Sequence, residues 1–286
     1  MKELLIISGK GGTGKTTVIG SFAVLAQNKV LADADVDAPN LHLLLAPRAL
    51  EENDYCGAKL AVVDEATCID CGRCEEVCEF AAIKDHRVDP NRCEGCGTCA
   101  IVCPVNAITM KDQVTGRLYL SETDYGLLAH ARLLAAAEAS GKLVTEVREL
   151  AHRVAVERSA ALILTDGSPG IGCPVIASLS GVDAAVAVTE PTPSGLHDLG
   201  RVLQVAAHFR VATAVCVNKW DINPAMTEQI ESVASSMGAE PLGRIPFDET
   251  VVESTAEGVP LIAWKDWPAS RAVTALWERI TADSLL

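Results

Sequence analysis

Apolar and polar positions alternate along this chain in a way that predicts layered α/β structure at both ends and something else between them. An apolar run over Glu3–Ser8 reads as a buried strand, a glycine-rich loop follows, and a helical stretch extends to about Asn28 before a second short strand near Val30–Ala32. Beyond Leu45 the pattern degrades. From Cys56 to about Lys111 the chain carries nine of its eleven cysteines and only short apolar runs. From about Leu127 helical and strand patterns alternate again, with apolar strand candidates at Ala161–Thr165, Ala184–Val188 and Val211–Val217. The segments between them are long enough for crossover helices. The expected organisation is an α/β domain in two parts, 1–58 and 113–286, interrupted by a small module over 59–112. Its mostly parallel sheet would be flanked by helices.

Composition sharpens this picture. Apolar residues make up 49% of the 286 positions and aromatics only 4%, so the core must be built from Ala, Val, Leu and Ile, as in helices packed on a buried parallel sheet. The formal charge of −14 would repel a phosphate backbone, and no basic stripe interrupts the acidity, which argues against a direct nucleic-acid partner. The apolar run after Met1-Lys2-Glu3 is too short for a signal peptide, and no uncharged stretch of about 20 apolar residues occurs. A cytoplasmic location is expected, and in a reducing compartment eleven cysteines point to metal or redox chemistry in preference to disulfides.

The first chemical motif is Gly9-Lys10-Gly11-Gly12-Thr13-Gly14-Lys15-Thr16-Thr17, which matches G-x4-G-K-[ST] between a predicted strand and a predicted helix. Glycines let the backbone curl so that Gly11, Gly12, Thr13 and Gly14 turn N–H groups toward an anion. Lys15 then reaches the β- and γ-phosphates, with Thr16 on Mg²⁺ and Thr17 also among the expected nucleotide-binding residues. The second lysine, Lys10, makes the loop resemble the deviant Walker motif of the MinD/ParA/Mrp and nitrogenase-reductase ATPases. That resemblance implies that Lys10 acts across a nucleotide-sandwich homodimer and that ATP drives dimerisation.

Further positions extend the resemblance. Within Leu31–Asn40, Asp35 falls where the family places the residue that positions the attacking water, while Asp37 has either a site role or that of a solvated loop acid. Asp166 ends the Ala161–Gly170 segment as a Walker-B acid that would hold Mg²⁺. Asn218-Lys219-Trp220-Asp221 resembles the family's base-recognition string, with Asn218 on adenine, and Arg244-Ile245-Pro246-Phe247-Asp248 resembles the segment packed near the adenine ring. Lys10, Lys15 and Asp35 are the expected catalytic residues.

The middle segment contains a duplication: Cys68–Ile83 and Cys93–Ile108 share the register C-x2-C-x2-C-x3-C followed by Ala-Ile. Two-residue gaps let three thiolates on one loop grip a cluster while the fourth projects to another. Zinc, the competing metal, favours C-x2-C pairs around a loop. By resemblance to bacterial two-cluster ferredoxins, one [4Fe–4S] cluster is held by Cys68, Cys71, Cys74 and Cys103, and the second by Cys93, Cys96, Cys99 and Cys78. Glu79 replaces the proline that follows the fourth cysteine in that family, whereas Pro104 keeps it in the second copy.

Of the remaining cysteines, Cys216 reads as a small buried hydrophobe. Cys173 lies about where nitrogenase-reductase-like ATPases carry a cysteine of a cluster shared across the dimer, although those relatives supply two per subunit and this chain shows no convincing second. The Thr189–Ser194 loop reads either as a nucleotide sensor or as a rigid turn fixed by two prolines, and Lys142 as a surface lysine. The segment Ser270–Leu286 carries Val273, Leu276, Trp277 and Ile280 at helical spacing beside Glu278 and Asp283, which suits a packing helix better than a membrane anchor. Taken together, the chain resembles MinD-superfamily ATPases with a two-cluster ferredoxin insertion. The resemblance implies an ATPase that couples nucleotide-driven dimerisation to electron transfer to a redox or client protein. Cluster assembly or delivery, as in Mrp-like proteins, and intracellular positioning with structural clusters are the alternatives.

Overall fold

A computed structural model describes all residues except 136, 138, 139, 283, 284 and 286, so Asp283 of the terminal segment lies outside the described residues. The strands are β1 (Lys2–Ser8), β2 (Lys29–Ala34), β3 (Arg48–Val63), β4 (Ile83–Lys84), β5 (Arg87–Val88), β6 (Ile108–Thr123), β7 (Gly126–Leu133), β8 (Leu162–Pro169), β9 (Ala184–Thr189), β10 (Ala212–Asn218) and β11 (Glu240–Ile245). Among the described residues, nine of them form one sheet in the order β11-β10-β9-β1-β8-β2-β7-β6-β3, while β4 and β5 form a separate antiparallel pair. The pairings from β11 through β7 run parallel, so the expected mostly parallel α/β sheet is present.

The chain divides into two compact units. One comprises Met1–Glu52, Leu118–Arg132 and Ala139–Leu286; the other comprises Asn53–Arg117 and Leu133–Glu138. In the first, strand alternation sends successive residues to opposite faces. Leu4 and Ile6 of β1 join Phe22, Leu31, Val186 and Leu276 on one face, against the helices Lys15–Leu25 and Pro268–Ala282. Leu5 and Ile7 join Val175, Leu199, Val202 and Ile230 on the other, against Cys173–Leu179, Pro193–His208 and Pro224–Ser236. The terminal helix is a packing helix: Val273, Leu276 and Ile280 are buried, and the Trp277 ring lies 5.0 Å from that of Phe22. No helix among the described residues is long and apolar enough to cross a membrane. Lys142 pairs with Glu146 one turn along its helix, at 3.8 Å.

The second unit has a much smaller core. Its buried apolar cluster is Ala61, Cys74, Ile83, Cys99 and Ile108, so thiols contribute to the core itself. The sequence duplication is also a structural one. Gly72 (φ 72°) and Gly97 (φ 78°) precede the short helices Arg73–Glu76 and Thr98–Val102. At corresponding positions Cys68 N and Cys93 N donate to Asp64 O and Asp89 O at 3.0 and 3.1 Å.

A buried polar network holds the start of β1. Glu3 is almost fully buried and accepts from Arg148 Nε (2.9 Å) and Nη2 (2.7 Å), Thr165 Oγ1 (2.7 Å) and His152 Nε2 (2.8 Å). Burial opposes its ionisation, but Arg148, Thr165 and His152 together hold the carboxyl below the ordinary glutamate value. A carboxyl depressed in the folded state contributes stability that is present above its unfolded value and is lost as pH falls through the folded one. Glu3→Gln should therefore cost about 3 kcal/mol of unfolding free energy at neutral pH, because it leaves Arg148 buried without its counter-charge. The gap to wild type should narrow below about pH 4.5, the ordinary glutamate value. Urea unfolding at a series of pH values measures both effects.

Candidate functional site

The ends of β1, β8 and β2 meet in one place because β1 pairs in parallel with β8, and β8 with β2. The loop after β1 leads into the helix Lys15–Leu25 through Gly14, whose φ of 92° lies in the left-handed region. A Cβ at Gly14 would sit 2.2 Å from Asn218 Nδ2, whereas one at Gly11 or Gly12 would meet nothing within 4 Å. The loop therefore presses on β10 at one point and curls around open space at the others, as a phosphate cradle requires.

Lys15 is buried in this loop, with Nζ 2.7 Å from Asp166 Oδ1 and 3.1 Å from Asp35 Oδ2. Thr16 Oγ1 donates to Asp166 Oδ2 at 3.2 Å. Burial alone would lower the Lys15 pKa, but the carboxylates of Asp166 and Asp35 raise it above the ordinary lysine value. Burial pushes Asp166 up, against the opposing pull of Lys15. Asp33, a residue that the sequence reading passed over, is pushed well up by burial and by the charge of Asp166, its register partner across β2 and β8. Its carboxylate oxygens accept from Asp35 N (3.2 Å) and Leu41 N (3.3 Å), which fixes the loop that carries Asp35. Three acids thus face one ammonium, a donor set whose charge a divalent cation would balance. Thr13 Oγ1 and Asp35 Oδ1 are buried with no hydrogen-bond partner among the described residues. This set fits Mg²⁺ and a nucleotide phosphate.

The other predicted residues fall around the same rim. Asn218 Nδ2 donates to Thr13 O (2.8 Å), and its Oδ1 accepts from Lys219 N (2.9 Å), so its side chain braces the loop. Asp221 accepts from Phe247 N at 2.7 Å, which ties the Asn218–Asp221 string to the Pro246–Asp248 segment. The Phe247 side chain is half exposed, while the Asp248 carboxylate accepts from Thr250 N, Thr250 Oγ1 and Ala269 N and is occupied in holding helix ends. Lys10 Nζ is ion-paired with Glu190 and donates to Ser194 Oγ at 3.2 Å. Glu190 belongs to the Thr189–Ser194 loop that the sequence offers as a nucleotide sensor or a rigid turn, but no motif there points to its pairing with Lys10. Asp37 lies exposed on the turn after β2.

In the second unit the eight motif cysteines separate into two sets. Cys68, Cys71, Cys74 and Cys103 line one cavity, and Cys78, Cys93, Cys96 and Cys99 line another. In each set the thiol on the far side of the repeat is met by a backbone donor: Ala107 N reaches Cys103 Sγ at 3.2 Å, and Ala82 N reaches Cys78 Sγ at 3.3 Å. Backbone N–H groups, that of Val105 foremost, hold the Cys103 thiol below its ordinary value, whereas burial raises those of Cys74 and Cys99. Four convergent soft donors with N–H groups directed at sulfur fit a thiolate-held metal cluster in each cavity. His86 also lines the first cavity and pairs through Nε2 with Asp70 at 3.1 Å; nothing in the duplicated pattern marks it. Cys216 is buried in β10 with its thiol pushed up to about 12 by burial, while Cys173 is exposed at the start of its helix and Cys56 is half-buried.

Comparison with known proteins places this geometry. An uncharacterized protein of Methanocaldococcus jannaschii is 34% identical over 224 residues, spanning 77% of this chain and 79% of its own. An iron–sulfur cluster carrier protein of Pyrococcus horikoshii is 24% identical over 295 residues, spanning 97% and 85%. The solved septum site-determining protein MinD of Pyrococcus horikoshii, complexed with Mg-ADP, superposes with a TM-score of 0.63 at 20% identity, covering 99% of this chain and 97% of that one, a likeness of fold. Residues 4–261 match the CobQ/CobB/MinD/ParA nucleotide binding domain, and with a phosphate loop, Asp35 and Asp166 converging at the sheet ends, the chain belongs to that family.

Proposed function

We propose that this chain is an ATP-hydrolysing, dimerising switch that carries two [4Fe–4S] clusters in a ferredoxin-like segment, 59–112, and couples its nucleotide state to electron transfer with a redox or client protein. The observation that supports it best is the partition of eight cysteines into two four-thiol cavities inside a unit inserted between β2 and β7 of a P-loop domain. That is the crossed ligand pattern which two interleaved cubanes need.

On this reading Lys15 and the N–H groups of the loop bind the β- and γ-phosphates of ATP. Asp35, freed from Lys15 as that lysine turns to phosphate, orients a water and accepts its proton. Asp166 and Thr16 would hold Mg²⁺, which would offset the negative charge of the phosphates. Lys10 reaches the partner subunit's phosphates, and Asn218, Lys219 and the Pro246–Asp248 segment border the base. Cys68, Cys71, Cys74 and Cys103 hold one cluster, and Cys78, Cys93, Cys96 and Cys99 the other; bound there, the clusters supply one-electron chemistry. A second reading, delivery of a cluster to a client, has support from the relatives described as iron–sulfur cluster carrier proteins.

Lys15→Ala should abolish ATP binding, because the loop loses the buried ammonium that would meet the β- and γ-phosphates. Asp35→Asn should keep binding and lower kcat by about 10²-fold or more, since the amide cannot take the proton. Nucleotide titration beside steady-state phosphate release separates the two. Anaerobically purified protein should contain about eight irons per chain, as two four-iron clusters require. EPR of the dithionite-reduced protein should change on addition of Mg·ATP. Eight irons with no nucleotide response would remove the coupling, and quantitative loss of iron to an apo-acceptor would favour delivery.

A further inference from the structure

Lys10 is the residue on which the proposed dimer depends, yet within one chain it is already engaged. Its ammonium is ion-paired with Glu190 and bonded to Ser194 Oγ, while Lys219 Nζ approaches the same Glu190 carboxylate at 3.4 Å. Glu190 is the most enclosed of the three charged side chains, 17% exposed against 29% for Lys10 and 34% for Lys219.

The frame around Glu190 is rigid. It follows β9, which pairs in parallel with β1, so the strand ends that carry Glu190 and the phosphate loop are neighbours. Thr192 N donates to Glu190 O (2.8 Å), and Thr192 Oγ1 caps the helix Pro193–His208 by accepting from Gly195 N (3.0 Å). Prolines at 191 and 193 restrict the backbone further. On the lysine side, a Cβ at Gly9 would lie 2.6 Å from the Asp198 backbone, so that same helix presses on the start of the loop. Burial opposes ionisation of Glu190, but Lys10 and Lys219 hold its carboxyl below the ordinary glutamate value.

From this geometry we infer that Glu190 is a positioning residue that latches Lys10 within its own chain, and that ATP-driven dimerisation exchanges this carboxylate for the partner subunit's phosphate. The inference rests on the dimeric reading above and adds the group that opposes it. Lys219 makes the exchange feasible. When Lys10 leaves, Glu190 keeps a second ammonium beside it and is not stranded as an uncompensated, largely buried charge. The latch is partly exposed and therefore weak enough for phosphate to displace. Because AMP-PNP carries a γ-phosphate and ADP does not, the latch should matter for dimerisation and not for monomer binding of ADP.

Sedimentation of the full, cluster-loaded chain with Mg·AMP-PNP tests this. Glu190→Gln, which keeps shape and removes charge, should dimerise at about five-fold lower protein concentration than wild type, the change expected when each of the two protomers lacks one weak, partly exposed ion pair. Its affinity for Mg·ADP should stay within about twofold of wild type, the size of a negligible binding change. Glu190→Asp, which retains the charge, should return the concentration dependence toward wild type. Should Glu190→Gln fail to fold, Ser194→Ala removes only the hydroxyl contact to Lys10 and should shift dimerisation the same way by less. A folded Glu190→Gln that dimerises like a dimerising wild type overturns the latch. An equal shift in ADP affinity also overturns it, since Glu190 would then act on the nucleotide directly. A wild type that binds Mg·AMP-PNP and stays monomeric overturns the dimeric reading itself, and the latch with it.

Discussion

The nucleotide-binding half of this molecule is organised around one buried ammonium. Lys15 sits between Asp35 and Asp166, which arrive from β2 and β8, and a third acid, Asp33, stands opposite Asp166 in the β2–β8 register. Parallel pairing forces these carboxylates into one small volume, where burial raises the cost of every negative charge. Lys15 offsets that cost only in part, as the raised values of Asp33 and Asp166 indicate. A site short of positive charge and built on rigid strand ends is prepared to take a divalent cation, and to release Lys15 toward an incoming phosphate. The loop, the helix that follows it and the brace from Asn218 are the means of keeping that ammonium in place.

The second unit solves a different problem. The buried apolar cluster described around its cysteines is small and includes Cys74 and Cys99 themselves, and so limited a burial holds a small module only weakly by itself. In the proposed reading thiolate–iron bonds supply what burial does not, so cluster loss and unfolding of this unit would be linked. The duplicated backbone geometry, with paired left-handed glycines and paired N–H···S contacts, makes each half contribute three thiols to its own cavity and one to the other. Neither half forms a complete site alone.

What could be read from the chain beforehand divides along a physical line. The glycine-rich loop, the acid Asp166 that follows the apolar run Ala161–Thr165, and the duplicated cysteine register were legible because each is local: a few neighbouring residues carry both the geometry and the chemistry. The parallel sheet was legible from uninterrupted apolar runs separated by helical stretches, and the packing role of Val273, Leu276 and Ile280 from their spacing. Asp33, His86 and the pairing of Glu190 with Lys10 were not, although the Thr189–Ser194 loop stood out, because each depends on contacts across the fold and a lone acid or histidine carries no such information.

The sequence by itself determined the fold class, the phosphate loop with its two lysines and the eight motif cysteines, because backbone propensity, glycine placement and thiol spacing act over short stretches of chain. Tertiary structure alone decided that Asp35 and Asp166 both close on Lys15, that Asn218 braces the loop, and that Lys10 is held by Glu190. Each of these depends on strand order and register, which bring together residues as much as 205 positions apart and which no local pattern encodes.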